Sequence, residues 1–167
     1  VVSVSLGLQH ACALMSNGGV KCWGQNSSGQ LGDGTRNPRS KPADVVGLTS
    51  GVISLSLGSR HSCALVAGGG VKCWGQNDHG QLGDSSFTWR NIPVDVFGLT
   101  SGVASMFSGL DHNCAITDSG DAKCWGRNDS GQLGTGASSR LIVPADVASL
   151  QSPVTALAFG LSHACAL

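Results

Sequence analysis

The run Val71-Lys72-Cys73-Trp74-Gly75-Gln76-Asn77-Asp78-His79-Gly80-Gln81-Leu82-Gly83 sits near the middle of the chain, and its echoes on either side decide the fold. Cys22-Trp23-Gly24 and Gly29–Gly32 repeat it 51 residues earlier, and Cys124-Trp125-Gly126 and Gly131–Gly134 repeat it 51 residues later. The same step carries His10 to His61, His112 and His163, and Cys12 to Cys63, Cys114 and Cys165. Pro42/Asp44, Pro93/Asp95 and Pro144/Asp146 keep it too. A register held without slips through three copies means that each copy is one supersecondary unit of fixed plan.

Within the second copy, Val52-Ile53-Ser54-Leu55-Ser56-Leu57 alternates apolar and polar residues, the period of a half-buried strand. Gly58 interrupts it, and His61-Ser62-Cys63-Ala64-Leu65 forms a second short strand. Val71 to Gly75 makes a third, Gln76 to Gly83 reads as loop, and Pro93-Val94-Asp95-Val96 supplies a fourth strand at an edge, where Pro is tolerated. No window shows helical periodicity. A repeat of ~40–50 residues holding about four short strands is a propeller blade. The expected fold is therefore all-β, with blades of four-stranded antiparallel sheet, about three and a third of them in one repeat domain over residues 1–167. A closed ring needs ~4–8 blades, so the sequence is expected to be an excerpt of a longer chain or one copy in an assembly.

Those residues carry a resemblance. The pattern G-x-x-H-x-C-A-L followed by K-C-W-G-x-N-x-x-G-Q-L-G is similar to the repeat of the regulator of chromosome condensation family, over essentially the whole chain. The resemblance implies a propeller, usually of about seven blades. Function varies within such a fold. The namesake's role, nucleotide exchange on a small GTPase with chromatin attachment, is one alternative. Secreted bacterial relatives that cap a partner with the propeller face supply another. The even 51-residue spacing leaves no room for an inserted exchange wedge, which disfavours the first.

Seven cysteines are read by their spacing. Cys12 and Cys22 are ten apart and centred on residue 17, within Ser16-Asn17-Gly18. The corresponding loops are Ala67-Gly68-Gly69 and Asp118-Ser119-Gly120. All end in Gly, the mark of a three-residue hairpin whose last position is left-handed. Each Cys pair then lies directly opposite across the ladder, where Cα atoms are ~4.5–5.5 Å apart, within disulfide reach. The expected bridges are Cys12–Cys22, Cys63–Cys73 and Cys114–Cys124, with Cys165 unpaired. A metal reading gathers only His10, Cys12 and Cys22 in one blade, one ligand short of a closed zinc site, so no metal is expected. Three bridges place the protein in an oxidising compartment: extracellular, periplasmic or secretory.

Composition narrows the function. Ten basic and ten acidic residues cancel, so no charge surplus draws the chain to nucleic acid or an anionic membrane. No apolar run reaches the ~18 residues that a membrane span requires. The chain opens at Val1 without Met, so any targeting segment is expected to lie outside this stretch. There is no G-x-S-x-G elbow and no phosphate loop, and neither enzymatic activity nor a cofactor is expected.

Residues that recur once per blade read as structural. His10, His61, His112 and His163 are expected to bond neighbouring backbone, and Trp23, Trp74 and Trp125 to fill space between blades. Asp44, Asp95 and Asp146 are expected to bond turn amides. Residues that differ between copies are the candidates for binding, because loops on a rigid scaffold carry function. Those are Arg36 and Arg39 in the first copy and Phe87, Trp89 and Arg90 in the second, Trp and Arg being frequent interface anchors. Asn26-Ser27-Ser28 and Asn128-Asp129-Ser130 are glycosylation sequons inside the fingerprint. The leading expectation is a scaffold that binds a protein or glycan. The other is a subunit that self-associates into a filament through unpaired strand edges.

Overall fold

The structure, a computed structural model, describes residues 1–150, 153–160 and 163–167. The first blade comprises β1 (Ser3–Leu6), β2 (His10–Leu14), β3 (Val20–Gly24) and β4 (Arg39–Asp44). The second comprises β5 (Val52–Leu57), β6 (His61–Val66), β7 (Gly70–Gly75) and β8 (Arg90–Asp95). The third comprises β9 (Val103–Ser108), β10 (His112–Thr117), β11 (Ala122–Gly126) and β12 (Leu141–Asp146), followed by the hairpin β13 (Leu157–Phe159) and β14 (Ala164–Ala166). Each blade is an up-and-down antiparallel sheet whose strands pair in chain order. The first strands β1, β5, β9 and β13 approach one another along the inside of the arc. No described residue lies in an α-helix.

The hairpin between the second and third strands explains the cysteine spacing. Cys12 faces Cys22, Cys63 faces Cys73 and Cys114 faces Cys124 in the ladder. Each pair is bridged, with Cα atoms 4.1 Å apart. The turns close through Gly18, Gly69 and Gly120, at φ of 78°, 78° and 86°. In that region a Cβ would crowd the following carbonyl, so Gly is the residue that fits. Cys165, opposite Ala158, is free and exposed.

The three complete blades are joined by the same latch at both of their interfaces. The carbonyl of Gln30 accepts Trp74 Nε1–H at 2.9 Å and the Ser62 hydroxyl at 2.8 Å, both from the following blade. The carbonyl of Gln81 likewise accepts Trp125 Nε1–H at 3.0 Å and Asn113 Nδ2 at 2.6 Å. Gly83 is required beside that indole, because a Cβ there would stand 2.8 Å from Trp125 Nε1. Trp74 and Trp125 are fully buried, and the cores mix residues of adjacent blades, with Trp74 beside Leu14, Leu31 and Val45. Trp23, without a preceding blade among the described residues, is only half-buried. Trp125→Ala is expected to cost about 3–5 kcal/mol, for the lost area and the cavity left behind. Urea midpoints should show Trp23→Ala costing less than half as much; equal costs would remove the latch as the source.

Two described non-Gly residues sit at positive φ, Ser85 and Ser149, the latter at 61° where the other copies have Gly47 and Gly98. Ser85 has φ of 63° at the position that Gly34 and Gly136 fill in the other copies. A left-handed non-Gly residue costs ~1–2 kcal/mol, partly offset by the smaller unfolded-state entropy of Ser. Ser85→Gly should therefore raise stability by up to about 1 kcal/mol, read as a shift in the thermal midpoint.

Candidate functional site

The long connections between third and fourth strands, residues 25–38, 76–89 and 127–140, leave the blades at the same end as the short turns between first and second strands. Each long loop is closed on its fingerprint Asn. Asn26 Nδ2 donates to Asp33 Oδ1 at 3.2 Å, Thr35 O at 3.2 Å and Asn37 O at 3.0 Å, while its Oδ1 accepts the Leu31 amide at 3.0 Å. Asn77 repeats the set on Asp84, Ser86, Thr88 and Leu82. Asn128 does so on Ala137, Ser139 and Leu133. Gln30 Oε1 accepts the Ser28 amide, which holds the tight turn inside the loop. Asn26 and Asn128 are 0% exposed. Their Nδ2 groups are enclosed and bonded, so in the folded chain these asparagines close their loops.

A second brace uses two arginines that the sequence reading assigned to a partner. Arg39 Nε donates to Asp33 Oδ2 at 2.7 Å, and Arg90 to Asp84 Oδ2 at 2.8 Å. Burial alone would raise the Asp33 carboxyl, but bonds from Thr35 and Arg39 together hold it below the ordinary carboxylate range. In the third blade Thr135 and Leu141 stand at these positions. Arg39 and Arg90 thus hold the loops' shape.

The other three candidates form a strip across blades. Arg36 of the first blade lies over the Trp89 ring of the second, 5.5 Å from its centroid. Trp89 Nε1 donates to Asp78 Oδ1 at 2.7 Å. Arg140 of the third blade lies over Phe87, 5.8 Å from its centroid, and donates to Asp78 O at 3.0 Å. Phe87 is 51% exposed. Position by position, Phe87 replaces Arg36 and Ser138, and Trp89 replaces Pro38 and Arg140. The aromatics therefore occur in one copy, and the guanidiniums that cover them come from its two neighbours. Arg140 was missed in the sequence, since pairing across blades is not visible within one repeat.

Two expectations about repeated residues are corrected here. Two of the histidine rings bond side chains of the next blade, not backbone: His10 Nε2 to Ser62 Oγ at 2.8 Å, and His61 Nε2 to Asn113 Oδ1 at 3.0 Å, whereas His112 Nε2 has no partner among the described residues. Asp44, Asp95 and Asp146 pair across the outer strands with Lys21, Lys72 and Lys123 at 2.5–2.6 Å, rather than with turn amides. Those carboxylates are 59–74% exposed, so the pairs contribute little. The described residues include no cluster of His, Cys, Asp or Glu suited to a metal, and no helix long and apolar enough to cross a membrane.

The comparisons agree with this architecture. Two descriptions of the Regulator of chromosome condensation (RCC1) repeat match the chain, one over residues 1–30, 52–81 and 103–132, the other over 17–65, 69–116 and 119–167. Among curated proteins, the human "Probable E3 ubiquitin-protein ligase HERC4" is 34% identical over 99% of this chain. The Arabidopsis thaliana "Ultraviolet-B receptor UVR8" is 31% identical over all of it. The chain spans 16% of the first and 39% of the second. Among solved structures, yeast RCC1 (Prp20), determined with Kap60, superposes with a TM-score of 0.86 at 19% identity, over 97% of this chain and 40% of that one. Three blades of matching sequence, register and fold establish that the chain belongs to the RCC1 repeat family of β-propellers.

Proposed function

We propose that this chain is a non-catalytic binding module of an oxidising compartment, extracellular or periplasmic, which holds a protein through the loop end of its blades. The observation that carries this reading is the strip Arg36, Trp89, Asp78, Arg140 and Phe87. It spans three loops that the Asn hubs hold rigid, and preorganised aromatic and arginine groups are what protein interfaces use as anchors. A propeller of this fold is seen with a protein partner, Kap60. One disulfide in every complete blade supports the compartment.

Two measurements test the two halves. Alkylation of the native protein without reductant, followed by intact mass, should label Cys165 alone; labelling of all seven cysteines would remove the secreted assignment. For binding, a photo-crosslinker placed at Ser138 should capture a partner, and the double variant Phe87→Ala/Trp89→Ala should lose that capture while its thermal midpoint holds. Capture undiminished in the variant would move the interface elsewhere.

A further inference from the structure

All six arginines of the chain stand at the loop end of the blades, whereas Lys21, Lys72 and Lys123 are paired to aspartates on the outer strands. Arg39, Arg90 and Arg127 are committed to carboxylates of their own loops. Arg36, Arg60 and Arg140 make no ion pair among the described residues, and all three are exposed. Two of these three are the guanidiniums laid over Trp89 and Phe87.

From this we propose that the Arg36–Trp89 and Arg140–Phe87 pairs form a receptor for a carboxylate-bearing segment of a protein partner, an Asp- or Glu-rich stretch with no need for a sugar or phosphate. The proposal rests on the loop-end reading above and names its chemistry. A guanidinium resting on an aromatic face is held in one plane while its N–H edge stays open, and that edge fits a carboxylate in two parallel hydrogen bonds. Ordering those side chains in advance lowers the entropy lost on binding. The Asp78 carboxylate accepts from Trp89 Nε1–H and Gln76 Nε2–H and makes no ion pair with Arg36 or Arg140, so its single charge offsets only one of the two guanidiniums and the strip keeps a positive excess. Asp129 is bonded to Arg127, which holds its carboxyl below the ordinary range, and His79 and Arg140 add weaker attraction without an ion pair. A glycan would instead stack on a bare indole, and Arg36 lies over this one.

The test uses the whole oxidised chain labelled with ¹⁵N, read at the Trp89 indole and at the arginine Nε resonances. An acetylated, amidated hexapeptide alternating Glu and Gly should shift the Trp89, Arg36 and Arg140 signals, and added salt should weaken the effect. Its Gln counterpart and maltohexaose should leave them in place. Arg36→Gln/Arg140→Gln should weaken the Glu peptide at least about tenfold with the thermal midpoint unchanged. Equal response to the Gln peptide would overturn the carboxylate receptor and leave the loop end as a protein-binding face. Response to maltohexaose alone would overturn it in favour of a glycan. Concentration-dependent dimerisation abolished by the same double variant would overturn it in favour of a second copy of this chain. No response to any probe would overturn it outright, while the crosslinking experiment still judges the broader reading.

Discussion

Reducing and alkylating the three bridges should lower the stability of the folded chain by about 8 kcal/mol, at about 2.7 kcal/mol for each loop of about 11 residues. Domains of this size are held by ~5–15 kcal/mol in all, so the reduced protein is expected to be largely unfolded at room temperature. The cost is not confined to chain entropy. Cys12, Cys22, Cys63, Cys73 and Cys114 are fully buried within the cores that join each blade to the next strands. A carboxamidomethyl group on any of them would have to enter a close-packed space, which is destabilising in itself. Alanine pairs separate the two effects: Cys63→Ala/Cys73→Ala should cost about 2–3 kcal/mol in urea without adding bulk. That middle hairpin packs on both neighbouring blades, so its loss should also lower the cooperativity of unfolding. A reduced protein that retains its urea midpoint would mean the hairpins are fixed by packing alone.

The fold was legible because the repeat made it over-determined. Alternation at Val52–Leu57, glycine at the turn ends, and cysteines equidistant from each turn are local signals, and each strand and bridge they implied is present. What escaped the sequence reading concerns partners in the next blade. The residue between His and Cys reads Ala11, Ser62 and Asn113, an apparent variable site. In space Ser62 and Asn113 join the histidine of one blade to a fingerprint carbonyl of the same blade, across the interface. Its signal was available: the position alternates with Cys, so it points to the same side as Trp, towards the preceding blade. The structural role of the sequon asparagines was hidden for a related reason. Asn26 and Asn128 satisfy a short consensus, but their chemistry is fixed by where the loop closes, which a tripeptide does not encode. Arg39 and Arg90 misled because a cation in a variable loop reads as free until its aspartate, six residues earlier, is seen to fold back on it.

Acidification from pH 7 to pH 4 should remove a second large share of the stability, about 3 kcal/mol for each of His10 and His112, with a further loss from His61. Burial pushes His10 and His112 down from 6.5 to about 4, and the neighbouring His61 adds to the effect. His61 is also lowered, first by burial, against the raising influence of Asn113 and Asp111. The hydrogen bonds explain why a second proton is unwelcome. Ser62 spends its hydroxyl proton on Gln30 O, so His10 must donate from Nε2, and Asn113 imposes the same tautomer on His61. A further proton would go to Nδ1, which has no partner in either residue and lies against Gly7 or Gly58. His112 has no Nε2 partner either, because Ala164 occupies the place of Ser62 and Asn113. The unfolded chain binds protons on the His10 and His112 rings near pH 6.5, the folded chain only near 4, so unfolding takes up protons between those values. Stability is therefore complete above about pH 6.5 and declines as pH falls towards 4, before Asp33, held below its ordinary value, begins to protonate. Urea titrations at pH 7.5, 6, 5 and 4 should trace this decline. His10→Gln, which keeps a donor for Ser62 and cannot take up a proton, should flatten part of the slope at some cost in stability at pH 7.5. Constant stability across the window, or titration of the His10 and His112 imidazoles near 6.5 in the folded protein, would show that these rings reach water and that the latch is looser than its hydrogen bonds imply.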